Sequence, residues 1–187
     1  GRPMKISKRI MALLMAALLV FGLPLSAFAS DGGEIRIATA ADWKSFVKSC
    51  KLDTWSVGKT VVLDTDLDLG GNFTPVPVFS GTFDGNGHSI HMGSYMSVAS
   101  DTGVFRYVSE GAVVKNLTVT GTWEPSGGKS AIGGIVGHNS GTIENCMFNG
   151  VVDGKNNIGG IAGINENTGV ITGCTVRGEI RLSLIHI

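Results

Sequence analysis

The feature that most constrains this chain is an internal repeat between Ile132 and Gly178. The first copy reads IGGIVGHNSGTIENCMFNG, and the second reads IGGIAGINENTGVITGCTVRG. The openings lie 26 residues apart and the closing halves 28 apart, because HNSG in the first copy is lengthened to INENTG in the second. A period in this range indicates stacked structural units, and the lengthened segment indicates a polar turn of variable length.

Each copy is predicted to form β-strands. Its apolar runs are short, rich in β-branched residues and interrupted by Gly, Asn and Ser, and no window has a helical period over ten residues. One such unit cannot bury its apolar side, whereas units stacked about 4.8 Å apart can. The sequence therefore predicts an all-β parallel solenoid with inward columns that pair Ile143 with Ile171, Cys146 with Cys174, and Phe148 with Val176.

The repeat extends backwards, because the apolar positions recur 29 residues before the first copy, from Val114 to Val119. At one corner the three units carry Asn116, Asn145 and Gly173. Asn and Gly are the residues that best tolerate positive φ, so a left-handed bend is predicted at this corner. The alternative is an ordinary loop, in which Asn and Gly are also common.

The composition suits this fold and limits the partners. Gly makes up 28 of the 187 residues, about twice its usual share of ~7%, as expected for a turn-rich protein. The formal charge is zero, but residues 1–29 hold four basic residues and no acid, which leaves eleven basic and fifteen acidic residues beyond them, or −4. A mildly acidic body argues against nucleic acid as the partner.

The N-terminal region is predicted to be a secretory signal peptide. Met4 is interpreted as the start, and residues 1–3 as upstream translation. A basic segment, the apolar run 10–21 and a small-x-small site follow, so residues 4–29 are the predicted signal peptide with cleavage after Ala29. The alternative, a membrane anchor, is disfavoured because an apolar run of 12 residues is too short to span a bilayer.

The segment TAADWKSFVKSCK is predicted to contain a helix at about residues 40–50, with Thr39 as its N-cap. Its apolar stripe is formed by Trp43, Phe46, Val47 and Cys50. Solenoids expose core and unpaired edges at an open end, and their terminal units are atypical caps. We therefore interpret this helix as the N-terminal cap; the alternative is an amphipathic helix that binds a partner.

Lys59–Leu69 is predicted to be a strand whose alternation places Asp64, Asp66 and Asp68 on an outward polar face. Clustered carboxylates also suggest calcium, but the calcium-loop pattern requires Gly at its sixth position and Glu at its twelfth. Leu and Pro stand at those positions here. The outward polar face is the preferred interpretation, and no metal is expected.

Further along the chain, the sequence DGNG at residues 84–87 predicts a turn between apolar runs. His88 and His91 follow it and are interpreted as surface histidines, because no metal or acid–base partners can be identified for them. Ile90 is expected to lie inside, stacked with Leu117. Trp123–Ser130 contains Pro and two Gly, and is expected to be a loop that projects from the stack.

Cys50, Cys146 and Cys174 all follow the predicted signal peptide, so an odd number of cysteines remains after export. Cys146 and Cys174 should lie on adjacent coils at a spacing compatible with a disulfide. Both occupy inward apolar positions, however, where free Cys behaves as a small hydrophobic residue. A reduced stack is the preferred interpretation, and a disulfide is the alternative.

The strings TAADWKSF, KTVVLDTDLDLGG, FSGTFDGNGHSI and KNLTVTG, with the two glycine-rich openings, resemble bacterial exported proteins that carry GLUG-type repeats. The resemblance covers about residues 33–180 and implies a right-handed parallel β-helix over residues 30–181. The GLUG units of this chain are Gly134, Ile135, Val136 and Gly137, and Gly160, Ile161, Ala162 and Gly163.

The resemblance implies a secreted or cell-surface module, in which the solenoid acts as a spacer or as an adhesive surface that binds a host or cell-surface protein or a polysaccharide. Some immunoglobulin-A-cleaving metallopeptidases carry such repeats, but their H-E-x-x-H motif is absent here. No cofactor is expected. Contact with a membrane is expected only during export. The alternative is part of a β-helix polysaccharide lyase or hydrolase, which requires carboxylates at a defined separation, or the repeat region of a surface peptidase. Because the acids of the repeats are not at equivalent positions, a non-catalytic module is the preferred interpretation.

The last six residues, LSLIHI at 182–187, differ from the repeats. The codons CTG TCT CTT ATA CAC ATC would encode them and correspond to the transposon-end adapter of sequencing libraries. We therefore interpret residues 182–187 as an adapter artefact, with downstream natural sequence missing; the alternative is a genuine C-terminal strand.

Overall fold

The computed structural model describes residues 33–96, 99–124 and 128–182. The predicted signal peptide, its cleavage after Ala29 and residues 183–187 lie outside the described residues. Within the described ranges, no helix is long and apolar enough to cross a membrane.

The described chain forms about five turns of a parallel β-solenoid with a single short helix, which confirms the predicted architecture. The handedness stays a prediction. The helix is α1 (Ala40–Ser49). The strands are β1 (Glu34–Ile37), β2 (Thr60–Leu63), β3 (Leu67–Asp68), β4 (Val76–Phe79), β5 (Thr82–Asp84), β6 (Ser89–Tyr95), β7 (Phe105–Val108), β8 (Val113–Lys115), β9 (Thr118–Trp123), β10 (Ile132–Gly133), β11 (Val136–Asn139), β12 (Thr142–Glu144), β13 (Met147–Gly154), β14 (Ile158–Gly159), β15 (Ala162–Asn165), β16 (Val170–Thr172) and β17 (Thr175–Leu182).

The strands form three long sheets and one two-stranded sheet. The first sheet has the order β1-β2-β5-β8-β12-β16, the second β3-β6-β9-β13-β17, the third β4-β7-β11-β15, and β10 pairs with β14. All described strand pairs are parallel. The inner coils of the described chain each contribute one strand to each long sheet and hydrogen-bond to the coils before and after them, whereas the terminal coils contribute fewer strands.

The register of the repeats is the predicted one. Ile143 pairs with Ile171, and Phe148 pairs with Val176. Ile143 and Phe148 are fully buried by the following coil, whereas Ile171 is 39% exposed and Val176 is 44% exposed in the last described coil. The matching side chains therefore point inward in each of these coils. Their full burial, however, requires a neighbouring coil on both sides.

Helix α1 closes the N-terminal end of the stack, as predicted. Thr39 and Asp42 form a capping box, in which the Thr39 hydroxyl accepts from the Asp42 N–H and the Asp42 carboxylate accepts from the Thr39 N–H. All four residues of the predicted apolar stripe are buried, and the rings of Trp43 and Phe46 pack on Phe83. The helix therefore buries core that the first coil would otherwise expose.

The predicted left-handed corner is confirmed: Asn116, Asn145 and Gly173 have φ of 54°, 49° and 61°. A second left-handed corner was not predicted. It lies just before β10 and β14, where Ala131 and Asn157 have φ of 58° and 51°. Ala131 is unusual there, because an L-residue other than Asn or Asp seldom adopts this conformation.

Three sequence-based expectations need correction. Lys59–Leu69 is not one strand but β2 and β3 joined by a corner, although Asp64, Asp66 and Asp68 are exposed as predicted. Trp123 is the buried last residue of β9 rather than part of a projecting loop.

The third correction concerns Ile90, which is buried as expected but stacks on Val119 instead of Leu117. The reason is the turn at residues 85–88. It places four residues between Asp84 and Ser89, where the next coil has only two between Lys115 and Thr118.

Candidate functional site

The GLUG units lie where β10 and β14 turn into the next strand, on the inner side of the coil. A Cβ on Gly134 would overlap the ring of Phe148 and the carbonyl oxygen of Gly160. The same relationship recurs one coil later, where a Cβ on Gly160 would overlap the side chain of Val176. Glycine is required at Gly134, because the backbone there crosses directly over a buried side chain and beside a carbonyl oxygen, whereas at Gly160 the neighbouring side chain of Val176 is partly exposed.

The other motif residues are also structural. Ile135 and Val136 are fully buried, Ile161 is nearly so, and Val136 pairs with Ala162. A Cβ on Gly137 would lie 2.7 Å from the peptide that joins Asp101 to Thr102, and Gly163 makes the equivalent close approach one coil on. The GLUG sequence therefore specifies a tight corner, and its residues present no reactive side chain.

The left-handed corner is likewise a structural feature. Asn116 donates from its side chain to the carboxylate of Asp84 in the preceding coil at 3.0 Å. The backbone N–H of Asn116 donates to the carbonyl of Glu144. Neighbouring coils are thus joined by hydrogen bonds at this corner.

A polar cluster that was not predicted lies around His138, on the outward side of the third sheet. His138 Nε2 lies 2.8 Å from Asp101 Oδ1, and its Nδ1 lies 3.1 Å from Glu166 Oε1. Tyr107 of the preceding coil stacks on the imidazole with ring centroids 5.2 Å apart. Arg106 donates from Nε to the carbonyl of Asp101 at 3.0 Å. We call Asp101, Tyr107, His138 and Glu166 the His138 cluster.

The His138 cluster joins three successive coils. Both ring nitrogens face carboxylate oxygens, and both can donate only in the imidazolium form. Burial, and then the neighbouring charge of Asp101, raises the pKa of the Tyr107 phenol. An open groove of about 490 Å³ borders the cluster along Ser109, Ser140 and Thr168. The imidazole therefore lies between two carboxylates, one from the preceding coil and one from the following coil.

One sequence signal could have revealed the cluster. Tyr107 and His138 occupy equivalent positions of successive coils, so aligning the sequence of β7 with that of β11 places the two rings side by side. Glu166 lies in the two-residue insertion that the repeat comparison located, between Asn165 of β15 and Val170 of β16. Asp101 could not be found in this way, because it reaches His138 from a turn.

The other polar groups singled out in the sequence are dispersed over the surface. His88 lies 3.3 Å from Asp66, and His91 lies 2.9 Å from the Thr120 hydroxyl. The Ser89 N–H donates to Asp66 and lowers the pKa of that carboxyl. Among the described residues, no three His, Cys, Asp or Glu side chains are placed to hold a metal ion.

All three cysteines are free thiols. Cys146 and Cys174 lie in adjacent coils directly before paired residues of β13 and β17, as the repeat predicts. Burial raises the pKa of the Cys50 and Cys146 thiols to about 12. Such thiols carry little thiolate at neutral pH, so the two behave as packing residues rather than nucleophiles.

Comparison with known proteins agrees with this architecture. Residues 128–153 and 154–181 each match the GLUG motif. A region of 127 residues is 32% identical to Halomucin from Haloquadratum walsbyi, and the match covers 64% of this chain but 1% of Halomucin. No solved structure matches the chain. The described chain is therefore a parallel β-helix that contains two GLUG repeats.

Proposed function

We propose that this chain is an exported, non-catalytic module of a larger bacterial cell-surface protein, where it serves as a rigid spacer that also presents a binding surface. The observation that carries the proposal is the continuous inward column, with Phe83, Val114 and Ile143 fully buried in successive coils. Such a column resists bending, because the inner coils are hydrogen-bonded to their neighbours along three sheets.

The comparisons support the proposal that this chain is a module of a larger protein. The chain spans about 1% of the length of Halomucin, so the segment they share is a small unit within that protein. Two consecutive GLUG matches indicate a unit that is extended by repetition. The proposed signal peptide, residues 4–29, would place this module outside the cytoplasm.

A second candidate is a hydrolase or lyase, favoured by the two carboxylates of the His138 cluster. The geometry is less suited to that chemistry, because a glycosidase needs one carboxyl group as acid and another as base or nucleophile on opposite sides of a substrate. Here both carboxylates lie against the same imidazole.

A polysaccharide panel tests the non-catalytic role. The purified chain is incubated with neutral and acidic polysaccharides, and unsaturated and reducing sugar ends are measured over time. We expect no release above that of a D101N/H138Q/E166Q variant. Turnover that is lost in this variant would assign an enzyme and overturn the proposal.

Export is tested separately by expressing the chain in a bacterial host with a reporter enzyme that is active only outside the cytoplasm. We expect reporter activity and a mature N-terminus at Ser30 by mass spectrometry. An Ala27→Leu/Ala29→Leu variant should remain unprocessed. Retention of the unmutated, intact chain in the cytoplasm would contradict the export part of the proposal.

A further inference from the structure

The capping helix carries a basic stripe on its outer side. Lys44 and Lys48 lie on α1, and Lys51 follows its C-cap, where its N–H donates to the Lys48 carbonyl. At 3.6 residues per turn, Lys44 and Lys48 lie about 40° apart around the helix axis, and Lys51 lines the same groove as both of them. All three side chains are exposed, whereas Asp42, on the opposite side of the helix, is buried.

These lysines are unusual for their surroundings. The chain beyond residue 29 has eleven basic and fifteen acidic residues, yet three of the eleven basic residues share this stripe. By contrast, Arg36 forms ion pairs with Glu34 and Asp64, and Lys115 lies 4.0 Å from Asp84. In the part of the chain that the structure describes, none of the three stripe lysines has a salt bridge.

The stripe borders a groove between α1 and the loop at residues 71–74, with a volume of about 630 Å³. This volume lies within the range of ligand pockets in proteins. No carboxylate lines the groove within the described ranges. We call this the lysine groove, and define it by Lys44, Lys48, Lys51, Asn72 and Thr74.

The opposite wall of the lysine groove supplies uncharged polar groups. The side chains of Asn72 and Thr74 are exposed, and neither forms a hydrogen bond within the described residues. The Thr74 carbonyl accepts from the indole N–H of Trp43 at 3.1 Å, which fixes the loop against the helix. A ligand in the groove would thus meet ammonium groups on one wall, and amide and hydroxyl groups on the other.

We propose that the lysine groove binds an acidic polysaccharide, whose carboxylate or sulfate groups pair with Lys44, Lys48 and Lys51 while its hydroxyl groups bond to Asn72 and Thr74. Paired ammonium and carboxylate or sulfate groups form charge-assisted hydrogen bonds, and a polymer with one charge on successive sugar units engages the stripe at several points. This site deepens the binding role proposed above and rests on that proposal.

Two other polyanions fit the groove less well. Single-stranded nucleic acid needs exposed rings on which bases can stack, but Trp43 and Phe73 in the groove are only 1% and 6% exposed. A membrane-surface helix inserts its apolar side between lipids, whereas the apolar side of α1 is packed on the solenoid.

Binding of the full chain to polygalacturonate and chondroitin sulfate tests the proposal, with dextran as the neutral polymer and poly-glutamate as the non-sugar polyanion. We expect binding to the acidic polysaccharides that weakens as salt is raised and no binding to dextran. The variant K44Q/K48Q/K51Q should bind at least about tenfold more weakly. The matched variant K115Q/K129Q/K155Q has the same net charge and should retain native affinity.

Asn72→Ala separates sugar recognition from charge alone, because it leaves all three lysines in place. We expect weaker binding to polygalacturonate with an unchanged salt dependence. Equal losses in the two triple-lysine variants, binding to poly-glutamate as tight as to the polysaccharides, or binding to anionic lipid vesicles alone would each overturn the assignment. If neither acidic polysaccharide binds, the proposal of a ligand site in the lysine groove fails. The proposal of an exported, non-catalytic module would be overturned separately, by polysaccharide turnover or by failed export.

Discussion

Gly134 lies directly over the ring of Phe148, with no space between them for a side-chain carbon. A Cβ at this position would also overlap the carbonyl oxygen of Gly160 in the next coil. The backbone therefore passes over a buried aromatic residue of its own coil and is hydrogen-bonded to the following coil at the same point.

Gly134→Ala should therefore destabilise the protein far more than Gly160→Ala. The first substitution overpacks a buried site whose neighbours include fixed backbone, with an expected loss of about 2–4 kcal/mol in the free energy of unfolding. At Gly160 the nearest atoms belong to the partly exposed side chain of Val176, which can move, so a loss below about 1 kcal/mol is expected. Chemical denaturation of both variants measures the difference, and equal losses would contradict the close approach.

The left-handed corner predicts a contrast at a single position. Asn145 has φ of 49°, and Ala pays a steric penalty in this region that Asn and Gly largely avoid. Asn145→Ala should lower the free energy of unfolding by about 1–2 kcal/mol, whereas Asn145→Gly should change it by only a few tenths. Thermal unfolding followed by circular dichroism provides the test, and a less stable Gly variant than Ala variant would refute the conformational explanation.

The cysteines predict both reactivity and an alkaline loss of stability. Under denaturing, non-reducing conditions three thiols should titrate, while in the native state Cys174 should react first because it is the least buried. A titre of one thiol would indicate a Cys146–Cys174 disulfide instead.

Because burial raises the pKa of Cys50 and Cys146 from 9.0 to about 12, the folded state holds these protons more tightly than the unfolded state. The resulting stability is fully present below pH 9 and is lost as the pH rises towards 12. In Cys50→Ala/Cys146→Ala the fall in unfolding free energy over this interval should be smaller than in the native chain. An identical pH dependence would show that these thiols do not contribute.

The His138 cluster predicts measurable coupling between coils. A double-mutant cycle with His138→Gln and Asp101→Asn should give a coupling free energy of about 0.5–1 kcal/mol, because the pair is close but partly exposed. The pair of His138 with Glu166 is longer and more exposed, so its coupling should be smaller. A larger coupling to Glu166 than to Asp101 would reverse the order that the distances imply.

The sequence predicts the parts of this fold that repeat and misses those that occur once. The contact between Ile143 and Ile171 can be predicted because the same residue recurs at the period of the coils. Trp123 has no such signal, since its partners in β6 and β13 are Tyr95 and Val152. Its burial depends on the ring packing of Phe73 and Tyr95, which no spacing reveals.

The candidate sites follow the same division. The GLUG glycines and the corner at Asn116 are visible because they repeat. The lysine groove depends on a loop folding back beside α1, and the His138 cluster depends on a turn that contributes Asp101. Contacts between a repeated strand and a unique turn cannot be inferred from either segment alone.

The corner at residues 85–88 is two residues longer than its neighbour, yet Ser89 still pairs with Thr118 in register. The loop Glu166–Gly169 is longer by the same amount, and Val170 still pairs with Thr142. Small insertions can therefore lengthen these bends while the strand register of the stacked coils stays unchanged. The same bends are suitable sites for grafting foreign peptides if the solenoid is engineered as a display scaffold.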